Sequence, residues 1–311
     1  MPSKTQDKYR YSTSQLLNFA QGSYLERTSR PVYAVIFLLP FIIFYEVGTL
    51  LINTDLLSRS QIRVVAFVWL QELLDYAGFG SKFTWIAVPL AVLVILLALQ
   101  LTSRTGWTVN LKDIVAMSVE CAVLAIPLIV LSLLLNRPAT PPQQGGVAAN
   151  SAIVAAANLG SLQNYGDSGS SKAYSPPVMS TRPQGKNTFW VNVITGIGAG
   201  IYEELIFRLI LICALMLLFQ DIIGLSHTGS MIFAILISAA LFSAHHHIIF
   251  MHGRFDQTAV FSWPPFLFRT IAGVYFAGLF AMRGFGITAG SHAFYDILAA
   301  AINVFFFSAH E

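Results

Sequence analysis

The sequence predicts an all-α, polytopic membrane helix bundle, and three observations predict it. The 311 residues are 55% hydrophobic and 11% charged, where soluble domains carry about 25% charged residues, and mean hydropathy is +0.65. Apolar runs close to the ~20 residues that cross a bilayer recur along the chain and give about seven spans. One long polar stretch, 137–187, separates three of these spans from the other four. A net charge of +3, spread over many loops, gives no footprint for nucleic acid.

Residues 1–31 form a polar N-terminal tail, with Lys4, Lys8, Arg10, Arg27 and Arg30 against Asp7 and Glu26. The run that follows is too long for the apolar core of a cleaved signal peptide, so none of the usual form is expected. The N-terminal membrane helices occupy 32–136. Within them 32–52, 85–101 and 115–135 read as spans, while 64–74 is shorter and broken by Gln71 and Glu72. That segment is expected to be interfacial or re-entrant. Glu46 is expected near a helix end, and Asp113 and Glu120 at the interface. Cys121 and Cys213 fall in apolar stretches without a CxxC motif and read as buried thiols.

Residues 137–187 are rich in Pro, Gly, Ser, Ala, Asn and Gln and bury too little apolar area to order themselves. They read as a flexible low-complexity linker, with a weak interfacial helix over 147–159. Limited proteolysis is expected to cut here first; a linker that survives while the N-terminal tail is digested would contradict this. The remaining segment, 188–311, holds apolar stretches at 189–219, 230–250, 264–282 and 285–307. Loop charges do not orient the chain, because the basic tail is balanced by Arg137, Lys172, Arg182 and Lys186 in the linker.

This last segment carries charge where the bilayer penalises it. Glu203, Glu204 and Arg208 lie between apolar flanks, and each ionised group there costs roughly 2.5–3.5 kcal/mol. Glu204 and Arg208 are four residues apart and share a helical face, whereas Glu203 is turned about 100° away. Glu204 thus has a built-in partner and Glu203 is left for other work. All 7 histidines follow residue 226. His227, His252 and His310 read as solvated, and His245, His246 and His247 as a polar cluster late in 230–250. His292 has Asp296 at i+4 on its own face.

Helices 189–219 and 230–250 are joined by a short connection and should be antiparallel neighbours. Glu203 and His246 are each about 16 residues, or about 24 Å, from that connection and so lie at similar depth. His245 and His247 should diverge from His246 by about 100° each. Gly196, Gly198 and Gly200 would let helices approach closely. A carboxylate opposite an imidazole suits a general base for water or a metal pair. His292 fits this arithmetic less well and would need a broken or re-entrant helix around Gly284 and Gly286.

Glu203-Glu204-Leu205-Ile206-Phe207-Arg208, then Phe242-Ser243-Ala244-His245-His246, then His292-Ala293-Phe294-Tyr295-Asp296 stand in this order. They resemble the three motifs E-E-x-x-x-R, F-x-x-x-H and H-x-x-x-N/D of the intramembrane CAAX proteases and bacteriocin-processing enzymes, the CPBP family of intramembrane metalloproteases. That family includes type II CAAX prenyl endopeptidases. The resemblance implies a membrane-embedded endopeptidase acting on a membrane-associated peptide or protein. It implies that Glu203 and His246 activate water, that Glu204 and Arg208 form a structural pair with Phe242 in support, and that His292 and Asp296 surround the oxyanion. It leaves open a divalent metal such as Zn on Glu203, His246 and His292. The CAAX-cleaving branch has asparagine where Asp296 stands. An ionised Asp296 cannot donate a hydrogen bond to an oxyanion, so it must be protonated, orient His292 or bind a cation.

Other intramembrane protease designs lack support: there is no H-E-x-x-H, no G-x-G-D beside Asp296 and no rhomboid-like G-x-S-G. The competing class is non-catalytic: a proton- or cation-coupled transporter using Glu203 and Glu204, a bis-histidine haem bundle, or an immunity or scaffold protein.

Overall fold

The computed structural model of the chain describes residues 19–20, 22–55, 64–79, 84–135, 186–246, 248–251, 254–257 and 263–304. The expected linker lies outside these except for its last two residues, as do the expected helix 147–159, His247, His252 and His310. Among the described residues, seven helical stretches are long and apolar enough to cross a bilayer. The chain is an integral, multi-pass membrane protein of the all-α class.

A short helix α1 (Tyr24–Thr28) precedes α2 (Pro31–Asp55), α3 (Val65–Tyr76), α4 (Thr84–Ser103) and α5 (Leu111–Leu135). After the linker, α6 (Lys186–Glu204) continues through a π-helical segment, Leu205–Ile210, then α7 (Leu211–Met216) and a second π-helical segment, Leu217–Ile222. Then come α8 (His227–His245), α9 (Trp263–Arg283) and α10 (Phe285–Ile302). The interfacial reading of α3 fits its form: it is 12 residues long, with Phe67 and Leu70 buried while Leu73 and Tyr76 are exposed.

The stretch 230–250 is not one helix. α8 stops at His245 and is followed by an antiparallel hairpin of β1 (Ile248–Met251) and β2 (Arg254–Gln257), with Ile248 opposite Gln257. The stop has a local cause. The Phe242 carbonyl, which the His246 N–H would take in a continuing helix, instead receives the Nδ1 atoms of His245 and His246 at 2.6 and 2.9 Å. The His246 N–H turns to the Ala244 carbonyl. Beyond it the β-branched Ile248 and Ile249 favour extended backbone.

α10 is the most enclosed span and packs on α6, α5, α2 and α9. The glycines of α6 make this possible. A Cβ on Gly200 would stand 2.6 Å from the Ala293 backbone nitrogen, and one on Gly196 would collide with the Asp296 side chain. Gly200→Ala is therefore expected to push α6 and α10 apart and cost about 1–3 kcal/mol. A thermal unfolding curve in detergent checks it, and an unchanged midpoint would show that the contact yields without cost.

One end of the bundle is held by ion pairs that the sequence reading placed at the interface. Arg283 grips both oxygens of Glu120 at 2.7 and 2.8 Å and donates to the Leu25 carbonyl at 2.9 Å. Tyr24 donates to the same Glu120 carboxylate at 2.7 Å. Arg27 binds Asp113 at 2.8 and 3.1 Å, and Tyr33 donates to Asp113 at 2.9 Å. Asp113 and Glu120 thus fasten α1 to α5 and α9, and residues 24–30 are docked rather than a free tail. Glu46 is not at a helix end either: α2 runs on to Asp55, and Glu46 accepts a hydrogen bond from Tyr202 at 2.9 Å. Cys121 is buried as expected, with Sγ 3.6 Å from the Ile287 carbonyl. Cys213 is only half-buried.

Candidate active site

The backbone changes pitch immediately after the glutamate pair, where α6 passes into the π-helical segment Leu205–Ile210. Such widened turns concentrate at functional sites because they re-aim side chains. Arg208, carried on this segment, is fully buried with Glu204, its Nε 2.9 Å from Glu204 Oε2. The N–H is not aimed at the oxygen, so this is a charge contact rather than an aligned hydrogen bond. Arg208 also lies 4.2 Å from the Phe242 ring centroid, a cation–π contact that shields the charge. Phe242 thus caps the arginine with its ring and holds two histidines with its carbonyl.

The second oxygen of Glu204 binds His292 Nδ1 at 2.7 Å. A carboxylate facing Arg208 only accepts, so Nδ1 carries the proton and Nε2 is turned to the opposite side. Asp296 Oδ2 lies 3.6 Å from that Nε2, too far for a hydrogen bond. Glu204, rather than Asp296, is therefore the main orienter of His292. The imidazole also stacks on Phe276, with centroids 4.6 Å apart and planes at 15°.

No broken helix was needed to bring His292 here. α10 is continuous and meets α9 through the single residue Gly284 at φ 76°. The depth arithmetic assumed coterminal helices. The Phe189–Ile222 span is 34 residues long, against 18 for Phe285–Ile302, so the turn after Ile222 overshoots the turn at Gly284.

Glu203 is 1% exposed and faces the end of α8. Ligand atoms of Glu203, His245 and His246 all lie within 4.8 Å of one another, and His245 Nε2 is 3.9 Å from Glu203 Oε1. The expected divergence of His245 from His246 fails because the helix ends between them and both Nδ1 atoms turn back to one carbonyl. That carbonyl can only accept, so both imidazoles are protonated at Nδ1 and present Nε2 lone pairs. Three acceptors then converge, an arrangement that a water or a cation satisfies. The donor set of two imidazoles and one carboxylate suits a divalent metal such as Zn, and Nδ1–H to a carbonyl is the usual support for such ligands. His292 lies outside the group of converging ligand atoms. Among the described residues the set that could hold a metal is Glu203, His245 and His246, where the sequence suggests Glu203, His246 and His292.

The sequence reading missed Trp69. Its ring lies 5.7 Å from that of His245 and 6.4 Å from that of Phe207, so α3 roofs the site. No sequence signal marked it, because a lone tryptophan on an interfacial helix is ordinary.

Paired carboxylates, three histidines and a buried arginine form a polar cluster inside a multi-pass membrane bundle. Residues 185–298 match the family described as Type II CAAX prenyl endopeptidase Rce1-like. Over these residues the chain is similar to the CAAX protease and bacteriocin-processing family. All three motifs lie inside the match, and residues 1–184 lie outside it. No curated protein and no solved structure matches the chain.

Proposed function

We propose that the protein is an intramembrane endopeptidase that hydrolyses a peptide bond in a membrane-associated peptide or protein by Glu203-activated water. The observation that carries this reading is the buried Glu203 carboxylate with ligand atoms of His245 and His246 within 4.8 Å, while Glu204 meets both Arg208 and His292. Glu203 takes one proton from the water as its oxygen bonds to the carbonyl carbon, and the C=O π pair moves onto the carbonyl oxygen. When that pair returns, the C–N bond breaks and the leaving amine takes the proton held by Glu203. His245 and His246 offer the acceptor for the water's second hydrogen and hold it against Glu203. His292, fixed by Glu204, stands with Asp296 on the other side of the reacting carbonyl. A divalent metal held by Glu203, His245 and His246 would add Lewis acidity to the same site.

The geometry gives less support to a haem bundle, which takes axial histidines from facing helices. Here His245 and His246 share one helix end. The test is a comparison of peptide termini in wild-type cells and a Glu203→Ala strain. Membrane-associated proteins are expected to show termini that disappear in the variant; identical termini in both strains would overturn the proposal.

The two histidines are expected to act together. His245→Ala and His246→Ala should each lower the cleavage rate by about 10²-fold or more, the scale of a lost acid–base partner. Single-turnover kinetics check this. Full activity in His245→Ala would return the role to His246 alone.

A further inference from the structure

Arg269 on α9 is 6% exposed, and its Nη1 and Nη2 atoms have no hydrogen-bond partner. Arg208 also leaves two nitrogens without a hydrogen bond, but it has Glu204 at 2.9 Å, and Arg283 has Glu120 at 2.7 Å. A guanidinium does not shed its charge in a protein. An uncompensated one inside a membrane bundle is a standing demand for an anion.

Its place in the fold says which anion. Ser243 Oγ donates to the Phe266 carbonyl at 2.8 Å, which ties the first turn of α9 to the last turn of α8, beside His245 and His246. Phe268, the residue before Arg269, has its ring 6.2 Å from that of Tyr295, the neighbour of Asp296. Phe266, Arg269, Gly273 and Phe276 follow one another at three or four residues and share one face of α9; on that face the Gly273 carbonyl accepts from Arg208 Nη2 at 3.4 Å and the Phe276 ring stacks on His292. It therefore sits at the level of the reaction centre, between the water-activating groups and the Asp296 turn.

The remaining groups of the centre do not supply what the reaction needs. Glu203, His245 Nε2 and His246 Nε2 are acceptors. Asp296 is an acid that as a carboxylate would repel a developing negative charge. Arg208 is committed to Glu204 and covered by Phe242.

We propose that Arg269 stabilises the oxyanion formed on the scissile carbonyl, supplying in this chain the positive hydrogen-bond donor that an ionised Asp296 does not. This rests on the proteolytic reading. As water oxygen bonds to the carbonyl carbon, the π pair displaced onto oxygen meets the free Nη–H donors. When it returns to expel the amine, the guanidinium is released unchanged.

The test uses the full-length protein in lipid nanodiscs and a peptide spanning a Glu203-dependent cleavage point, together with its phosphinate analogue as a tetrahedral mimic. Arg269→Met and Arg269→Lys are compared with wild type. Arg269→Met is expected to lower kcat by about 10²–10³-fold, the cost of removing an oxyanion donor, with KM within about twofold. Arg269→Lys should recover part of that loss. Phosphinate binding should weaken in parallel with kcat/KM while binding of the uncleaved peptide to a Glu203→Gln background stays the same. The melting temperature of Arg269→Met should be equal to or above wild type, because an unpaired buried charge is removed; a structural arginine would lower it.

A rise in KM with kcat unchanged would overturn the proposal in favour of a carboxylate already present on the substrate. Unchanged kcat and KM, or unchanged phosphinate affinity, would also overturn it. Should Arg269→Met not fold, the role is structural and the proposal fails. If wild-type protein shows no Glu203-dependent cleavage at all, the proteolytic reading itself has failed, an outcome distinct from an active Arg269→Met enzyme.

Discussion

Glu203→Gln is expected to abolish peptide cleavage while leaving expression and thermal stability near wild type. The two halves of this expectation have separate causes. Glutamine keeps the size of the side chain but cannot take a proton from water, and loss of a positioned general base lowers rates by about 10²–10⁴-fold. Stability should hold because Glu203 makes no salt bridge to an arginine: Arg208 is 2.9 Å from Glu204. Exchanging one buried carboxylate for a neutral amide beside two neutral imidazoles removes a charge from the membrane interior, a change that does not strain the fold. Cleavage of a reporter peptide and a melting curve on the same preparation decide it. Full activity in Glu203→Gln would transfer the base role to another group.

Glu204→Gln should behave in the opposite way, as a large loss of stability followed by a loss of activity. Glu204 is the shared partner of Arg208 at 2.9 Å and of His292 at 2.7 Å. Removing its charge leaves a buried guanidinium uncompensated, which costs about 3–5 kcal/mol. A double variant Glu204→Gln with Arg208→Met removes both charges and is expected to recover much of that stability, since apolar replacements of a buried pair are often neutral. It should not recover activity, because His292 would still lack the anionic acceptor that fixes its tautomer. A Glu204→Gln protein that melts with wild type would refute the structural pairing. A double variant that regains full turnover would show that His292 needs no carboxylate behind it.

The difference between these variants follows from helical geometry that was legible in the chain. Four residues separate Glu204 from Arg208, and their pairing survives even though the helix widens into a π-helical turn between them. Glu203, one residue earlier, points elsewhere. The bundle class and the seven spans are legible for the same reason, whereas Gly196 and Gly200, expected to bring α6 against α8, meet α10 instead. Hydropathy and small-residue spacing act within a few turns of one helix.

Wherever two elements had to be placed against each other, the sequence reading was weaker. His245 was read as diverging from His246 because a continuous helix separates neighbours by about 100°. The helix ends there, and one carbonyl gathers both rings. His292 has Asp296 as its i+4 neighbour, yet it donates its short hydrogen bond to Glu204, 88 residues away in sequence. Asp113, Glu120 and Glu46 were read as interfacial or terminal because each lacked a partner on its own helix. Their partners, Arg27, Arg283 and Tyr202, lie on other elements.

The sequence by itself determined the medium and the chemistry. Too few charges for a soluble domain mark the bilayer, and charges retained inside it mark a candidate site, because apolar surroundings penalise each ionised group wherever it lies. Only the tertiary structure decided which acceptor meets which donor. That choice rests on helix lengths that are not equal, on a span of 34 residues against one of 18, and on a helix that stops at His245. These offsets set contact distances to within a few ångströms, a precision that periodicity along one chain segment does not carry.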